Sequence, residues 1–177
     1  MEIELERTFL LKELPKDIKN YKPVEILDTY LPTTIPHPIL RLRKEDDDFK
    51  ITKKAPVKDD ASEQREQTIT LSKEEFHELA NLSGKRLRKI RYRYPVDRYL
   101  AEIDIFLDDL EGLALVDFEF SSIEEKARFS IPKFCLADVT QEEFIAGGFL
   151  AGKKYSDIES FLKKYNYKEI KSPLNRF

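Results

Sequence analysis

The chain has 177 residues, of which 41% are hydrophobic, and this apolar content suffices for one well-buried domain. Its 31 Lys and Arg residues against 34 Asp and Glu residues give a net charge of −3, which excludes a bulk electrostatic attraction to nucleic acid or to membranes. We expect a single domain over residues 1–171 and a disordered tail at residues 172–177. Any function based on charge must be local.

The cellular compartment is indicated by the start of the chain and by its cysteine content. The first ten residues, MEIELERTFL, are charged and lack the apolar core of a signal peptide, and no long apolar run follows. The lone Cys135 cannot form an internal disulfide and is expected to be a buried, inert thiol. A cytoplasmic protein is therefore the expectation.

Alternation of apolar and polar residues recurs along the chain and predicts a fold dominated by β-sheet. Short, turn-prone connections favour antiparallel neighbours. A longer segment at residues 55–62, APVKDDAS, is expected to be a mobile loop. The alternating stretches lie at residues 2–10, 24–31, 39–45, 49–54, 63–71, 87–94, 99–106 and 113–120.

Helices are indicated by capping boxes, in which a hydroxyl and a carboxylate three residues later satisfy the free amides of the first turn. A further helix is expected to begin near Ser122. The capping boxes pair Ser72 with Glu75, Thr140 with Glu143, and Ser156 with Glu159.

The polar faces of the predicted strands carry charges of one sign each. For any single strand a solvated charged face is the ordinary explanation, yet surface strands usually mix the two signs. If the sheet closes, the charged faces meet around a lumen and require a ligand of complementary charge. Magnesium or manganese would satisfy the carboxylates, and a triphosphate would satisfy the cations.

Five segments in the same order resemble the strands of the CYTH, or triphosphate tunnel metalloenzyme, family. EIELERTF resembles its opening Glu-x-Glu-x-Lys strand, and LRLRKEDDDFKITKK resembles its Arg-x-Arg strand and the strand that follows. RKIRY, AEIDIF and LVDFEF resemble its later charged strands. The resemblance implies an α+β fold, namely an eight-stranded antiparallel β-barrel with a charged interior and several helices packed outside.

Members of this family commonly hydrolyse inorganic triphosphate or thiamine triphosphate, so the resemblance implies a divalent-metal-dependent triphosphatase. Two alternatives stay open. Some members are class IV adenylate cyclases, which make cyclic AMP from ATP. A non-catalytic binder of polyphosphate or nucleotides is the other alternative, because Thr8 stands where the family has a lysine.

The resemblance also implies roles for individual residues. The expected partner is a small molecule that bears a triphosphate, with no nucleic acid and no membrane, and a two-fold homodimer is the commonest assembly if one forms. Glu66 is either a tunnel carboxylate or an edge-strand surface residue. The implied ligands of Mg²⁺ or Mn²⁺ are Glu4, Glu6 and Glu119, and the residues implied for a second metal or for activation of a water are Glu102, Asp104 and Asp117. The residues implied to bind phosphate are Arg41, Arg43, Lys54, Lys89 and Arg91, and either Lys50 or another tunnel cation would compensate for Thr8.

Overall fold

The structure is a computed structural model that describes residues 2–174. The predicted disordered tail is therefore described only as far as Leu174, and residues 175–177 lie outside the described residues. The expected extent of the single domain stays a prediction.

The described residues form one antiparallel sheet of nine strands. All eight predicted stretches are strands, in which successive side chains point to opposite faces. The strands are β1 (Glu2–Leu11), β2 (Pro23–Leu31), β3 (Leu40–Glu45), β4 (Asp48–Val57), β5 (Asp60–Thr70), β6 (Lys85–Val96), β7 (Tyr99–Phe106), β8 (Ala114–Phe120) and β9 (Cys135–Asp138).

Eight of these strands close into a barrel. The sheet runs β5-β4-β3-β2-β6-β7-β8-β1, and β1 pairs with β5 to close it. The predicted eight-stranded antiparallel barrel is thus confirmed. The ninth strand, β9, was not predicted, and it pairs with the end of β1 that β5 does not reach.

The residues after β9 fill the gap between β1 and β5. The hydroxyl of Thr140 accepts a hydrogen bond from the Thr8 amide at 3.1 Å, and the side-chain oxygen of Gln141 accepts one from the Ala61 amide at 3.1 Å. The C-terminal part of the chain therefore completes the barrel wall.

The predicted mobile loop at residues 55–62 is wrong. Residues on both sides continue the strands, and a turn at Lys58 and Asp59 connects β4 to β5. These two residues have positive φ values of 50° and 66°. A two-residue hairpin turn with such angles matches the twist of the flanking strands. Val57 and Asp60 pair across the turn, and the register shifts between Pro56 and Val57.

Two of the predicted helix starts are confirmed. Ser72 and Glu75 form a capping box at α1 (Lys73–Ala80). Ser122 accepts the Glu125 amide at 3.1 Å at the start of α2 (Ile123–Arg128).

The other two predicted starts are wrong. The Thr140 hydroxyl donates to Asp138 at 2.5 Å instead of capping a helix, and a single 3₁₀ turn follows at Glu143–Ile145. Ser156 lies inside α4 (Tyr155–Lys163), whose start is closed by Asp157 accepting the Lys154 amide at 2.8 Å. One short helix, α3 (Gly147–Leu150), lies between them.

One end of the barrel interior is apolar. There the inward side chains of Leu10, Leu87, Phe106 and Leu115 pack with residues of α3 and α4 in one cluster. The charged residues of the interior are therefore confined to the remainder of the barrel. Among the described helices, none combines the length and the apolar character needed to cross a membrane.

Candidate functional site

The barrel encloses a cavity of about 790 Å³, lined by alternate residues of all eight barrel strands. Glu66 also lines it. The structure thus brings together every residue that the sequence analysis assigned to the site, although their chemical roles stay predictions. On the cavity wall lie Glu4, Glu6, Arg41, Arg43, Lys50, Lys54, Lys89, Arg91, Glu102, Asp104, Asp117 and Glu119.

A buried arginine–aspartate pair anchors the wall formed by β2, β3 and β4. Asp28 and Arg43 are cross-strand neighbours, and Arg43 Nε and Nη2 donate to the two Asp28 oxygens at 2.7 and 2.8 Å. Asp28 is fully buried, which by itself would raise its pKa, but the Arg43 guanidinium holds the pKa at about 2. The pair is therefore ionised at neutral pH.

Two further cations of this wall form no ion pair with a described carboxylate. Arg41 and Lys50 line the cavity, and within residues 2–174 neither forms an ion pair. The Nε of Arg41 is buried without a hydrogen-bond partner in that same range. A buried donor of this kind is costly unless a ligand accepts from it. This wall therefore presents unneutralised positive charge to the cavity.

The wall formed by β6, β7 and β8 is neutralised internally. Arg91 Nε and Nη2 donate to the two oxygens of Asp104 at 2.6 Å each, Lys89 contacts Asp104, and Arg91 Nη1 contacts Glu102. Burial by itself would raise the pKa of Asp104, but the charges of Arg91 and Lys89 hold this pKa well below its usual range. Three donors already occupy Asp104, so its predicted role toward a metal or water would require this arrangement to open.

Asp117 is less neutralised than Asp104 and Glu102 on this wall. Burial raises its pKa, and the neighbouring Asp104 charge adds to the effect. Its Oδ1 accepts a hydrogen bond from the Thr8 hydroxyl at 2.7 Å, and Arg91 Nη2 is 3.7 Å from its Oδ2. The position of the family lysine is thus filled by a neutral hydroxyl that contacts Asp117.

Three carboxylates and one lysine meet where β1, β4 and β8 approach each other. The Lys54 ammonium lies against Glu4 and donates to Glu6 at 2.7 Å. Burial raises the pKa of Glu6 to about 7 despite Lys54, with Asp117 and Glu4 adding to the rise. Burial and the Glu4 charge likewise raise the pKa of Glu119 to about 7. These carboxylates hold more negative charge than Lys54 compensates.

The cavity as a whole carries an excess of acid. Along the described wall eleven carboxylates face seven Arg and Lys residues, so a polyanion could enter only with accompanying cations. No group of three or more Asp, Glu, His or Cys residues in the described chain is already converged on one metal position. The carboxylates are Glu4, Glu6, Glu45, Asp59, Glu66, Glu102, Asp104, Asp117, Glu119, Glu142 and Glu143, and the cations are Arg41, Arg43, Lys50, Lys54, Lys89, Arg91 and Arg93.

A pair of glycines brings the C-terminal segment close to the barrel. A Cβ on Gly147 would lie 2.0 Å from the Tyr30 hydroxyl, and one on Gly148 would lie 2.0 Å from the Pro38 carbonyl oxygen. Only glycine lets the backbone come this close to Tyr30 and Pro38. At the same edge of the cavity, His37 Nδ1 lies 3.5 Å from Glu143. The loop before β3 and the segment before α3 therefore form one part of the cavity wall.

Sequence reasoning missed Asp28, Tyr30 and this glycine pair. In the stretch VEILDTYL, Asp28 lies on the same strand face as Ile26 and Tyr30, and an acidic residue on that otherwise apolar face is the signal that could have found it. The glycines carry no such signal, because their role depends on side chains distant in sequence.

Comparisons with known proteins agree with this geometry. No family model matches the chain. An inorganic triphosphatase of Nitrosomonas europaea is 29% identical over 142 residues, which are 79% of this chain and 91% of that protein. The crystal structure of the inorganic triphosphatase NE1496 has a TM-score of 0.62 at 27% identity and covers 86% of this chain and 97% of its own. The PH1012 protein of Pyrococcus horikoshii OT3, at 19% identity and a TM-score of 0.51 over 70% of this chain and 84% of its own, shares the fold.

A closed antiparallel barrel whose inner wall carries rows of carboxylates and cations defines a β-barrel tunnel protein. Two further observations point to one family of tunnel proteins, namely the order of the charged strands and the similarity to proteins named inorganic triphosphatase. They confirm the resemblance of the chain to the CYTH, or triphosphate tunnel metalloenzyme, superfamily.

Proposed function

We propose that the protein hydrolyses a substrate that contains a triphosphate, inside its barrel and with a divalent metal ion. The observation that carries the proposal is the cavity itself, in which unneutralised cations of β3 and β4 face a carboxylate-rich wall built from β1, β7 and β8. The similarity to proteins named inorganic triphosphatase supports the same reaction.

The cations of β3 and β4 are assigned to the phosphate oxygens. Arg41 and Lys50 have no carboxylate partner in the described chain, and Arg43 keeps its Nη1 free of hydrogen bonds there. An arginine offers two parallel donors to phosphate oxygens, whereas a lysine acts as a compact charge. Lys54, Lys89 and Arg91 already contact carboxylates, so their part is to balance charge as the substrate enters.

The set of carboxylates around Lys54 is suited to binding a divalent cation. Glu6 and Glu119 have raised pKa values, and Glu4 Oε2 is buried with no hydrogen bond of good geometry to described residues although it contacts Lys54. Mg²⁺ and Mn²⁺ prefer carboxylate oxygens together with substrate phosphates, so Glu4, Glu6 and Glu119 are the proposed ligands. When bound, the ion supplies positive charge that neutralises phosphate oxygens.

Asp117 is the carboxylate proposed to receive the proton of the attacking water. Its raised pKa brings it closer to neutral pH, where a general base is most effective. Glu102 and Asp104 hold the Arg91 guanidinium instead. The water would attack the terminal phosphorus in line with the leaving oxygen.

A substrate screen tests the proposal. Purified protein is incubated with tripolyphosphate, thiamine triphosphate or ATP and with magnesium or manganese, and products are analysed. Orthophosphate release that stops on chelation is the expected result. Cyclic AMP and pyrophosphate from ATP would instead identify a cyclase.

A non-catalytic binder is the second candidate, because Thr8 provides a hydroxyl where a cation would face the phosphates. It predicts metal-dependent tripolyphosphate binding by calorimetry without turnover. A Thr8→Lys variant that gained turnover would show that the missing cation is the cause.

A further inference from the structure

Asp28 is a buried carboxylate that the reaction just proposed does not use. It is fully buried, and it does not belong to the described cavity wall, whereas its partner Arg43 does. Both Asp28 oxygens accept from Arg43, so the carboxylate lies behind the guanidinium as seen from the cavity.

This pairing leaves one edge of the guanidinium available. Nε and Nη2 of Arg43 are held by Asp28, and no hydrogen bond from residues 2–174 engages Nη1. Arg91 on β6 differs, because Asp104 and Glu102 together engage all three of its nitrogens. Of the two clamped arginines, Arg43 is the one with a donor to offer to a ligand.

Stability alone does not account for the Asp28–Arg43 pair. A buried ion pair contributes little net stability compared with apolar side chains of similar volume. What the two parallel hydrogen bonds do provide is a fixed plane for a side chain that otherwise has many rotamers. A guanidinium fixed before the ligand arrives loses less entropy on binding.

We propose that Asp28 is a positioning residue, which fixes the guanidinium of Arg43 so that Nη1 is directed at a bound triphosphate. The inference rests on the proposed function for the nature of the ligand. Asp28 itself does not contact the ligand and acts only through Arg43.

A double-mutant cycle tests this dependence. The variants are Asp28→Asn, Arg43→Gln and the double variant, each checked for folding by circular dichroism and gel filtration. We expect Asp28→Asn to weaken tripolyphosphate binding and kcat/KM by about 10- to 100-fold, the range for residues that orient ligand-binding groups. In the Arg43→Gln background the same change should alter both by less than about twofold, because the group to be positioned is gone.

A purely structural role gives a different pattern. Asp28→Asn would then reduce activity by the same factor in both backgrounds, and this outcome overturns the proposal, as does wild-type binding in folded Asp28→Asn. If Asp28→Asn fails to fold, tripolyphosphate binding by Arg43→Lys tests the proposal instead. This variant keeps a positive charge beside Asp28 but removes the guanidinium, whose two parallel donors the proposal requires. Wild-type binding by Arg43→Lys overturns the proposal, and a loss of about tenfold or more supports it.

A matched control lies on the barrel exterior. Arg88 Nε and Nη2 donate to the two oxygens of Asp108 at 2.7 and 2.6 Å, the same geometry at an exposed position. Asp108→Asn should leave binding and kcat/KM within about twofold of wild type.

The readouts separate this proposal from the proposed function. Tripolyphosphate binding with magnesium is measured by calorimetry in all four proteins of the cycle, whether or not any hydrolysis occurs. Binding without hydrolysis in the wild type contradicts the proposed hydrolase and leaves the cycle interpretable. No binding by the wild type contradicts both.

Discussion

The two cationic walls of the barrel look alike in the sequence and differ in the structure. Arg41 and Arg43 on β3 alternate with apolar residues just as Lys89 and Arg91 do on β6. On β6 both cations form ion pairs with carboxylates of the adjacent β7, Lys89 with Asp104 and Arg91 with both Asp104 and Glu102. On β3 only Arg43 has a carboxylate partner, Asp28, and Arg41 has none in the described chain.

The difference comes from the neighbouring strands. The strand beside β6 is β7, whose inward residues include Glu102 and Asp104, whereas one neighbour of β3 is β4, which contributes Lys50 and Lys54. A cation that lies beside other cations is free to bind an anionic ligand, whereas a cation that lies beside carboxylates pairs with them and holds the two strands together. The β3–β4 wall is therefore assigned to the ligand and the β6–β7 wall to support, and the predictions below separate the two.

The largest effect on stability, comparable to the loss of Arg43 from Asp28, is expected from Arg91→Ala, because it leaves Asp104 buried without its main counter-charge. Loss of one partner from a buried pair typically costs about 3–5 kcal/mol of unfolding free energy. Urea unfolding measures it. Arg88→Ala, at the exterior pair with Asp108, is the control and should cost no more than about 1 kcal/mol. Equal losses in the two variants would contradict a supporting role for the β6–β7 wall.

Arg43→Ala should reduce turnover in a protein that still folds. Removing a donor that stabilises a transition state costs about 10²- to 10³-fold in kcat. Orthophosphate release from each triphosphate, in the range of temperature where the variant is folded, measures the loss. Unchanged turnover of every triphosphate would show that the β3–β4 wall does not hold the phosphates.

The barrel could be predicted from the sequence, and its pairing pattern could not. Alternation shows which residues of a strand share a face, so the strands and their inward charges followed from local pattern. It does not show which strands are neighbours, and neighbours decide that Asp104 is occupied while Arg41 is not. The family resemblance supplied the closure of the barrel but no pairing of individual charges.

Local pattern also failed where the structure depends on distant partners. The strand β9 is only four residues long, and it forms because the end of β1 lacks another neighbour. Thr140 matches a capping box, yet its hydroxyl is used between β1 and Asp138. Asp28 could be noticed as an unusual acid in an apolar stretch, but its partner Arg43 is defined only by the register between β2 and β3.

Metal-free protein should lose stability as pH rises through the range in which Glu6 titrates. Its pKa is raised from 4.5 to about 7, so between these values the folded state keeps a proton that the unfolded state has lost. The unfolding free energy should therefore fall with rising pH, by on the order of 3 kcal/mol. The Asp28–Arg43 pair does not contribute in this window, because a pKa lowered to about 2 affects stability only in more acidic solution.

Urea unfolding at several pH values in the presence of a chelator measures this decline. Glu6→Gln should make the decline shallower, since an amide does not titrate, and the raised pKa of Glu119 accounts for the slope that stays. Magnesium should restore more stability at pH 7 than at pH 5, because metal binding requires the ionised carboxylates. A decline that is equally steep in Glu6→Gln would place the responsible group elsewhere.

The smallest expected effect concerns Thr8, which replaces the family lysine. Thr8→Val keeps the side-chain shape but removes the hydroxyl that donates to Asp117 at 2.7 Å. Loss of this bond disfavours the ionised carboxylate by about 1 kcal/mol, which corresponds to a rise of roughly 0.7 in the pKa of Asp117. Since the proposed base must be ionised, the acidic limb of the pH profile of kcat should move upward by about that amount.

Thr52→Val is the matched control, because the Thr52 hydroxyl shares a hydrogen bond of 2.7 Å with the Thr68 hydroxyl on the cationic wall. It removes a bond between two neutral groups and should leave the acidic limb in place. If the limb moved equally in both variants, or in neither, the Thr8 hydroxyl would not tune Asp117. Another carboxylate of the wall would then have to accept the proton, and Glu102 is the next candidate. Glu102 is more exposed than Asp104, and its Oε1 is only loosely paired, at 3.5 Å from Arg93 Nε.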